Sequence, residues 1–328
     1  MTRALVLGAT GHIGAHVVRA LLRDGHDVRT TYRTERFLTV LDGLPVERVR
    51  VDLDTCEGLR AALEGCAWVF HAAAYYPSFQ DRRADDVTHG IASTRRVLDI
   101  FREAGPDRIV FTSSAATIRR VPGRAATEAD AEPWPPTTSR PLYATVKIAI
   151  EHEVLRAHAA GLPIVIVNPS VCLGEYDAHR FSGRAILAFA THRLPVYLDH
   201  RFNAVYTGDV GVGHVRAAQR GRIGERYLLT HRHVTLLEFA TMVAHVAGVP
   251  PPRWRIPLPL AQAMAVGSEL AASLTRMRPM LTRDMVSSFR AGQLLDGTKA
   301  LVELGLPQTS LEEAIRRAVD WFKAHGDL

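Results

Sequence analysis

The chain runs from an apolar segment, Ala4-Leu-Val-Leu7, directly into Gly8-Ala-Thr-Gly11-His-Ile-Gly14 and then into a helical pattern. A strand that meets a helix through three glycines at this spacing can do few other things. Gly8 permits the tight turn, Gly11 lets the backbone approach a pyrophosphate, and Gly14 lets the helix pack close to the sheet. The amino end of that helix offers free N–H groups and partial positive charge to phosphates. Thr10, His12 and Ile13 belong to the same turn and share the expected cofactor contact. A plain glycine turn is the competing reading, and the strand–turn–helix context weighs against it.

The first half continues the rhythm that this opening sets. Short apolar runs at Ala4–Leu7, Val28–Tyr32, Val46–Val51, Trp68–His71, Arg108–Thr112 and Ile164–Asn168 read as strands buried on both faces. Helical patterns at Ile13–Arg23, Glu57–Leu63, Ile91–Glu103 and Leu142–Ala159 alternate with them. Alternation of this kind predicts an α/β fold, a doubly wound parallel Rossmann sheet with helices on both faces. The proline-rich stretch Val121–Pro141 cannot be regular helix and is expected as a loop before the Leu142 helix. Beyond Cys172 helical patterns dominate, at Gly183–Ala190, Val210–Gln219, Leu236–Val246, Leu258–Leu274 and Leu311–Phe322. Extended pieces near Ala204–Tyr206 and Tyr227–Thr230 interrupt them. The reading is a dinucleotide-binding domain over 1–171 and a smaller, mostly helical substrate lobe over 172–328, with about 201–230 returning to the first domain.

The second strand ends in Thr31-Tyr32-Arg33, with Arg36 nearby and no carboxylate at its end. A site for NAD usually places Asp or Glu there for the ribose hydroxyls, whereas arginine pairs with a 2′-phosphate. NADP (NADPH) is therefore favoured over NAD, the competing reading being a solvated arginine. Asp52, closing the third strand ahead of Leu53, is placed either to bond an adenine amino group or to cap a turn.

Only three of the 40 basic residues are lysines, and one of them, Lys147, lies four residues after Tyr143. On a helix that spacing puts both side chains on one face. A compact ammonium there favours phenolate and makes the tyrosine a usable acid or base near neutrality. Tyr-x-x-x-Lys alone does not exclude a chance pairing, so its weight comes from the rest of the chain.

Composition excludes other classes. A net charge of +6 comes from arginines scattered between apolar runs, not from a basic block, which argues against a nucleic-acid partner. Cys56, Cys66 and Cys172 are odd in number and lack Cys-x-x-Cys spacing, which suggests reduced thiols and a cytoplasmic location. No long apolar segment opens the chain. Leu258–Leu274 is too short and too interrupted for a membrane span, so it reads as a docked amphipathic helix, and no membrane partner is expected. His12 with His16, His231 with His233, and His152-Glu153 with His158 lack a ligand set, so no metal is expected. No Gly-x-Ser-x-Gly elbow supports a serine hydrolase. The aromatics Tyr75, Tyr76, Phe79, Trp134, Tyr176, Phe181 and Tyr197 fall in segments expected to border a substrate cleft, though core packing explains several equally well.

Taken in order, Gly8-x-x-Gly11-x-x-Gly14, Asp52-Leu53, Phe70-His71-Ala-Ala-Ala74, Phe111-Thr-Ser-Ser114, Tyr143-x-x-x-Lys147 and Asn168-Pro-Ser170 resemble the extended short-chain dehydrogenase/reductase family. Thr30-Thr31-Tyr32-Arg33, Val167-Asn-Pro-Ser170 and the Glu303-Leu-Gly305 tail look like its dihydroflavonol-reductase-like and hopanoid-associated sugar epimerase branch. The resemblance implies that Tyr143 exchanges a proton with a substrate oxygen and that Lys147 binds the nicotinamide ribose and depresses the tyrosine pKa. It implies that Ser114, or its neighbour Ser113, bonds the same oxygen. Pro169, Ser170 and Val171 would meet the nicotinamide amide, and His71, Ala72 and Ala73 would lie along the cofactor. A homodimer through the Ile91–Glu103 and Leu142–Ala159 helices is implied as well.

Two departures stand out. Gly90 and Ser93 occupy the positions of the usual asparagine and glycine of an Asn-x-x-Gly-Thr helix segment, and Thr117-Ile-Arg-Arg120 replaces the Tyr-Gly common in sugar-modifying members. The expectation is an NADP-dependent reductase or dehydrogenase acting on a small carbonyl or alcohol substrate through Ser114, Tyr143 and Lys147. A sugar epimerase or dehydratase that retains NAD(P) is the alternative, and a non-catalytic NADP sensor the third reading.

Overall fold

The computed structural model describes residues 2–73, 75, 85–275, 282–283, 286 and 294–328. Six strands, β1 (Arg3–Leu7), β2 (Asp27–Tyr32), β3 (Glu47–Arg50), β4 (Trp68–His71), β5 (Arg108–Thr112) and β6 (Ile164–Pro169), build the main sheet. The chain then leaves it through β7 (Val171–Leu173), β8 (Val196–Leu198) and β9 (Arg201–Tyr206) before β10 (Arg226–Leu229) returns beside β6. Among the described residues the sheet has seven strands in the order β10-β6-β5-β4-β1-β2-β3. Every pairing is parallel. The order reverses between β1 and β4, the switch point at which open α/β sheets bind ligands beyond the strands' carboxyl ends.

Alternate residues of each strand feed different cores, as a sheet covered on both faces requires. Ala4 and Val6 pack with Val17, Val18 and Leu21 of helix α1 (His12–Arg23). Leu5 and Leu7 pack on the other face with Leu59 of α2 (Leu59–Leu63), Val97 and Phe101 of α3 (Asp86–Ala104), and Ile150 and Val154 of α4 (Leu142–Ala159). After α5 (Gly183–Ala190), helix α6 (Thr207–Arg220) crosses α1. Gly211 makes that crossing possible, because a Cβ there would come within 2.7 Å of the His16 carbonyl.

The predicted strands and helices all appear, most shifted by a few residues at their ends, and α4 has the predicted bounds. The clearest difference is α3, which starts at Asp86, five residues before the predicted Ile91. Gly90 lies inside it and marks no boundary, because it serves helix packing. The 121–141 stretch is a loop containing one 3-10 turn at Glu128–Asp130, braced by the paired Arg124 and Asp130.

β11 (Arg232–Thr235) pairs with β9, and β9 with β7, in a small second sheet. Its core gathers Leu173, Tyr206, Ile186 of α5, Phe239 and Val243 of α7 (Leu236–Ala247), and Ile315 and Phe322 of the closing helix Leu311–Ala324. β12 (Trp254–Ile256) pairs with β8 and leads into α8 (Leu258–Thr275). The α8 helix docks through buried Ala261 and Ala265 and leaves Leu260, Leu270 and Leu274 exposed. Among the described residues, no helix is long and apolar enough to cross a membrane.

Candidate active site

The glycine turn is built as its spacing requires. Gly8 adopts φ +80°, and a Cβ on it would lie 2.8 Å from the Ala73 backbone. A Cβ on Gly14 would lie 2.1 Å from the Gly8 carbonyl oxygen, so the turn and helix close only with glycine at both places. The Gly11 N–H donates to the Gly8 oxygen at 3.0 Å, and Gly11 caps α1. Gly8, Thr10, Gly11, His12 and Ile13 are half-buried at the helix's amino end, beside Ala72 and Ala73 leaving β4. This cradle, too narrow for a side chain and lined with peptide N–H groups, fits a dinucleotide's pyrophosphate. Burial pushes the imidazoles of His12 and His16 down, so both are neutral at physiological pH.

Arg33 stands exposed at the end of β2, its guanidinium 4.0 Å from Asp54. Asp52 accepts from the N–H groups of Asp54 (2.8 Å) and Thr55 (3.3 Å), the turn-capping arrangement. Leu53 packs on the core beneath α2 and α3, and its carbonyl accepts from Ser93 at 3.3 Å.

Helix α4 carries Tyr143 and Lys147 on one face, with the ammonium 6.0 Å from the phenol ring centre. Tyr143 is half-buried and Lys147 buried. Burial lowers the lysine pKa to about 8, and the nearby Glu151 carboxylate opposes that drop. His71, at the end of β4, stacks on Phe111 with ring centres 4.8 Å apart, and burial holds it at about 4.

The two adjacent serines part company after β5. Ser114 is half-buried, caps the short 3-10 turn Ala115–Thr117, and accepts from the Ala116 N–H at 3.1 Å. Ser113 is buried and donates its hydroxyl proton to Glu151. The loop before α4 is tied to this turn, because Arg140 donates to the carbonyls of Ala116 (2.9 Å) and Ile118 (3.1 Å).

Pro169 is buried at the end of β6. Ser170 donates to Asn203 at 2.8 Å, and Val171 is exposed. Among the aromatics, Tyr75 donates to buried Asp86 at 2.6 Å. Tyr176 lies under the Arg19 guanidinium at 3.7 Å, and Phe181 is exposed. Tyr197 lines a surface cavity with Leu237 and Arg255. Ala74, Tyr76 and Phe79 lie outside the described residues. Among the described residues no cluster of His, Cys, Asp or Glu is arranged to hold a metal ion.

Sequence reading passed over Glu151 and Arg226. Glu151 follows Lys147 at the i,i+4 spacing that relates Lys147 to Tyr143, and this was the available signal. Arg226 gave none, because its strand joins the sheet only through long-range pairing.

Comparison with known proteins adds the following. The profile of the NAD dependent epimerase/dehydratase family matches residues 4–229. A Synechocystis protein that carries the provisional name dihydroflavonol 4-reductase is 34% identical over 98% of this chain and 94% of its own length. The sterol demethylase protein B of Methylococcus capsulatus is 34% identical over 98% of both chains. The crystal structure of a nucleoside-diphosphate-sugar epimerase from Pseudomonas aeruginosa superposes with a TM-score of 0.81 at 29% identity, over 100% of this chain and 99% of that one.

Proposed function

The chain belongs to the NAD dependent epimerase/dehydratase family, and from that premise we propose that it is an NADP-dependent carbonyl reductase or alcohol dehydrogenase. The observation that carries this reading is the phenol of Tyr143 one helical turn from the buried Lys147 ammonium, with Ser114 at the end of the neighbouring strand. NADPH, held by the glycine turn, Arg33 and the Pro169–Val171 wall, would supply the hydride. Tyr143 gives its proton to the substrate oxygen, and Ser114 bonds that oxygen as negative charge develops on it. Lys147 holds positive charge beside the phenol, which makes the proton easier to release. Arg33, exposed and paired among the described residues through a long contact to Asp54, can turn toward a 2′-phosphate, which supports NADP over NAD. Residues 1–171 would bind the cofactor, and 172–328 would mainly form the substrate lobe, apart from the returning 201–230 portion. The protein would act in the cytoplasm as a homodimer through α3 and α4, on a small carbonyl or alcohol compound, without nucleic acid.

A second reading, a sugar epimerase or dehydratase that retains its dinucleotide, is favoured by the family's name and by that of the Pseudomonas relative. Thr117-Ile-Arg-Arg120 after the serine turn favours the reductase. A spectrophotometric screen of NADPH and NADH against aldehydes, ketones and nucleotide sugars, with analysis of cofactor released on denaturation, separates the two. Consumption of free NADPH with a carbonyl compound supports the reductase. Stoichiometric bound NAD with no net consumption supports the epimerase. Undiminished turnover in Tyr143→Phe would sink both.

A further inference from the structure

Beneath the serine turn lies a buried carboxylate that accepts four hydrogen bonds. Glu151 is 3% exposed, and its Oε1 accepts from Arg226 Nε on β10 at 2.6 Å. Its Oε2 accepts from Asn168 Nδ2 on β6 at 2.7 Å, from Thr117 Oγ1 at 3.0 Å, and from the Ser113 hydroxyl. Asn168 also donates to the Ser114 carbonyl at 3.2 Å. We propose that Glu151 is a positioning residue: it binds the serine turn, the end of β6 and β10 to the helix that carries Lys147, and it supplies the counter-charge for that ammonium. The proposal rests on the Ser114–Tyr143–Lys147 reading above and adds a residue that touches neither substrate nor cofactor.

Among the described residues, the charges around the pair are few. On its own helix Lys147 has Tyr143 one turn before it and Glu151 one turn after it, while His71 approaches from β4 as a neutral ring. Around Glu151 stand Arg226 and the cavity-lining Glu128, Glu132 and His152. Glu128 is engaged with the Leu228 N–H at 2.8 Å, and Glu132 with Thr137. On the side facing α3, Glu153 pairs with Arg95. Among the described carboxylates, Glu151 is the one whose field raises the Lys147 pKa. The Arg226 guanidinium already calls for an anionic partner, and the Lys147 ammonium one turn away on α4 is a second cation for the same carboxylate. An ionised hub whose field also acts on the buried Lys147 ammonium serves both needs.

The protein's three lysines make this directly measurable. Protein labelled with [13Cε]lysine gives signals from Lys147, Lys299 and Lys323, and Lys147→Arg assigns the first. In Glu151→Gln the Lys147 titration midpoint should fall by roughly one to three units. In Glu151→Asp, which keeps the charge, it should stay near wild type. In Arg226→Met, which loosens the network but leaves the carboxylate, it should hold or rise. An unmoved midpoint in Glu151→Gln, or an equal fall in Arg226→Met, would overturn the proposal. Should Glu151→Gln fail to fold, Arg226→Met decides, with a held or raised midpoint supporting the proposal and a fall refuting it. None of these readouts needs turnover. Failure of the wild-type protein to use any carbonyl substrate would therefore count against the reductase reading alone.

Discussion

Ser113 and Ser114 are adjacent in the chain but serve different partners: the buried Ser113 hydroxyl donates to Glu151, while the half-buried Ser114 hydroxyl caps the turn that follows it. The resemblance left open which of them serves the substrate, and the geometry separates their expected phenotypes. Ser114→Ala should lower kcat by about 100-fold or more, as loss of an oxyanion donor does, with little change in melting temperature. Ser113→Ala removes one donor from a buried carboxylate and should cost about 1–3 kcal/mol of stability, with a smaller effect on kcat. Steady-state kinetics and calorimetry on the two variants check this. The reverse pattern would assign the catalytic role to Ser113.

Arg33 is the natural place to test cofactor choice, because it is exposed and its ion pair among the described residues is the long 4.0 Å contact to Asp54. A charge-assisted contact to a 2′-phosphate is worth about 1.5–3 kcal/mol, or roughly 10- to 100-fold in affinity. Arg33→Asp should weaken NADPH by that factor and leave NADH within about twofold, since only NADPH carries the phosphate. Titration of intrinsic fluorescence with each nucleotide provides the measurement. Equal losses for both nucleotides would remove the argument for NADP.

The sheet was legible because parallel strands covered on both faces are near-continuous apolar runs, as Ala4–Leu7, Trp68–Phe70 and Ile164–Val167 are. The glycine turn was legible because its geometry admits one residue type at Gly8 and Gly14. Tyr143 and Lys147 were legible because a helix converts a spacing of four into proximity. What stayed hidden depends on contacts remote in sequence. Arg226 reaches Glu151 across 75 positions, and only the pairing of β10 with β6 brings them together. Which face of α8 docks was not legible either: Ala261 and Ala265 are buried while Leu260, Leu270 and Leu274 are exposed, a choice that periodicity cannot express.

Stability should decline in mild acid for an identifiable reason. Burial holds His71 and His214 at about 4, against an ordinary histidine value near 6.5. His214 is enclosed by the Thr112 hydroxyl (2.8 Å) and the Val210 carbonyl (2.7 Å). Between those pH values the unfolded chain binds protons that the folded one refuses, so unfolding becomes easier as pH falls. Above about 6.5 both states are neutral at these positions and the penalty vanishes. Each ring accounts for up to about 3 kcal/mol across the window, as an order of magnitude. Urea unfolding midpoints should therefore fall steeply from pH 6.5 to 4. In His214→Gln, which keeps hydrogen-bonding groups but cannot charge, the decline should be shallower. An unchanged slope would show that other groups govern acid unfolding.

Gly90 gives the last test, because it departs from the asparagine usual at its position in the resembling family. A Cβ there would meet Ile150 at 3.3 Å and Val146 at 3.4 Å, so α3 and α4 approach each other through the space a side chain would need. Val146 immediately precedes Lys147, and Ile150 immediately precedes Glu151, so pressure at this contact reaches the turn that carries both. Restoring the asparagine should act as overpacking of a close helix contact, at a cost of about 1–3 kcal/mol, and not as recovery of a lost support. Gly90→Asn should melt several degrees lower and turn over more slowly than wild type. Gly90→Ala should lie between them, since the methyl needs the neighbours to yield only a few tenths of an ångström and gains up to about 1 kcal/mol in helix propensity. A more stable and more active Gly90→Asn would mean that α3 and α4 can open to take the amide, and that this chain has lost a support without replacing it.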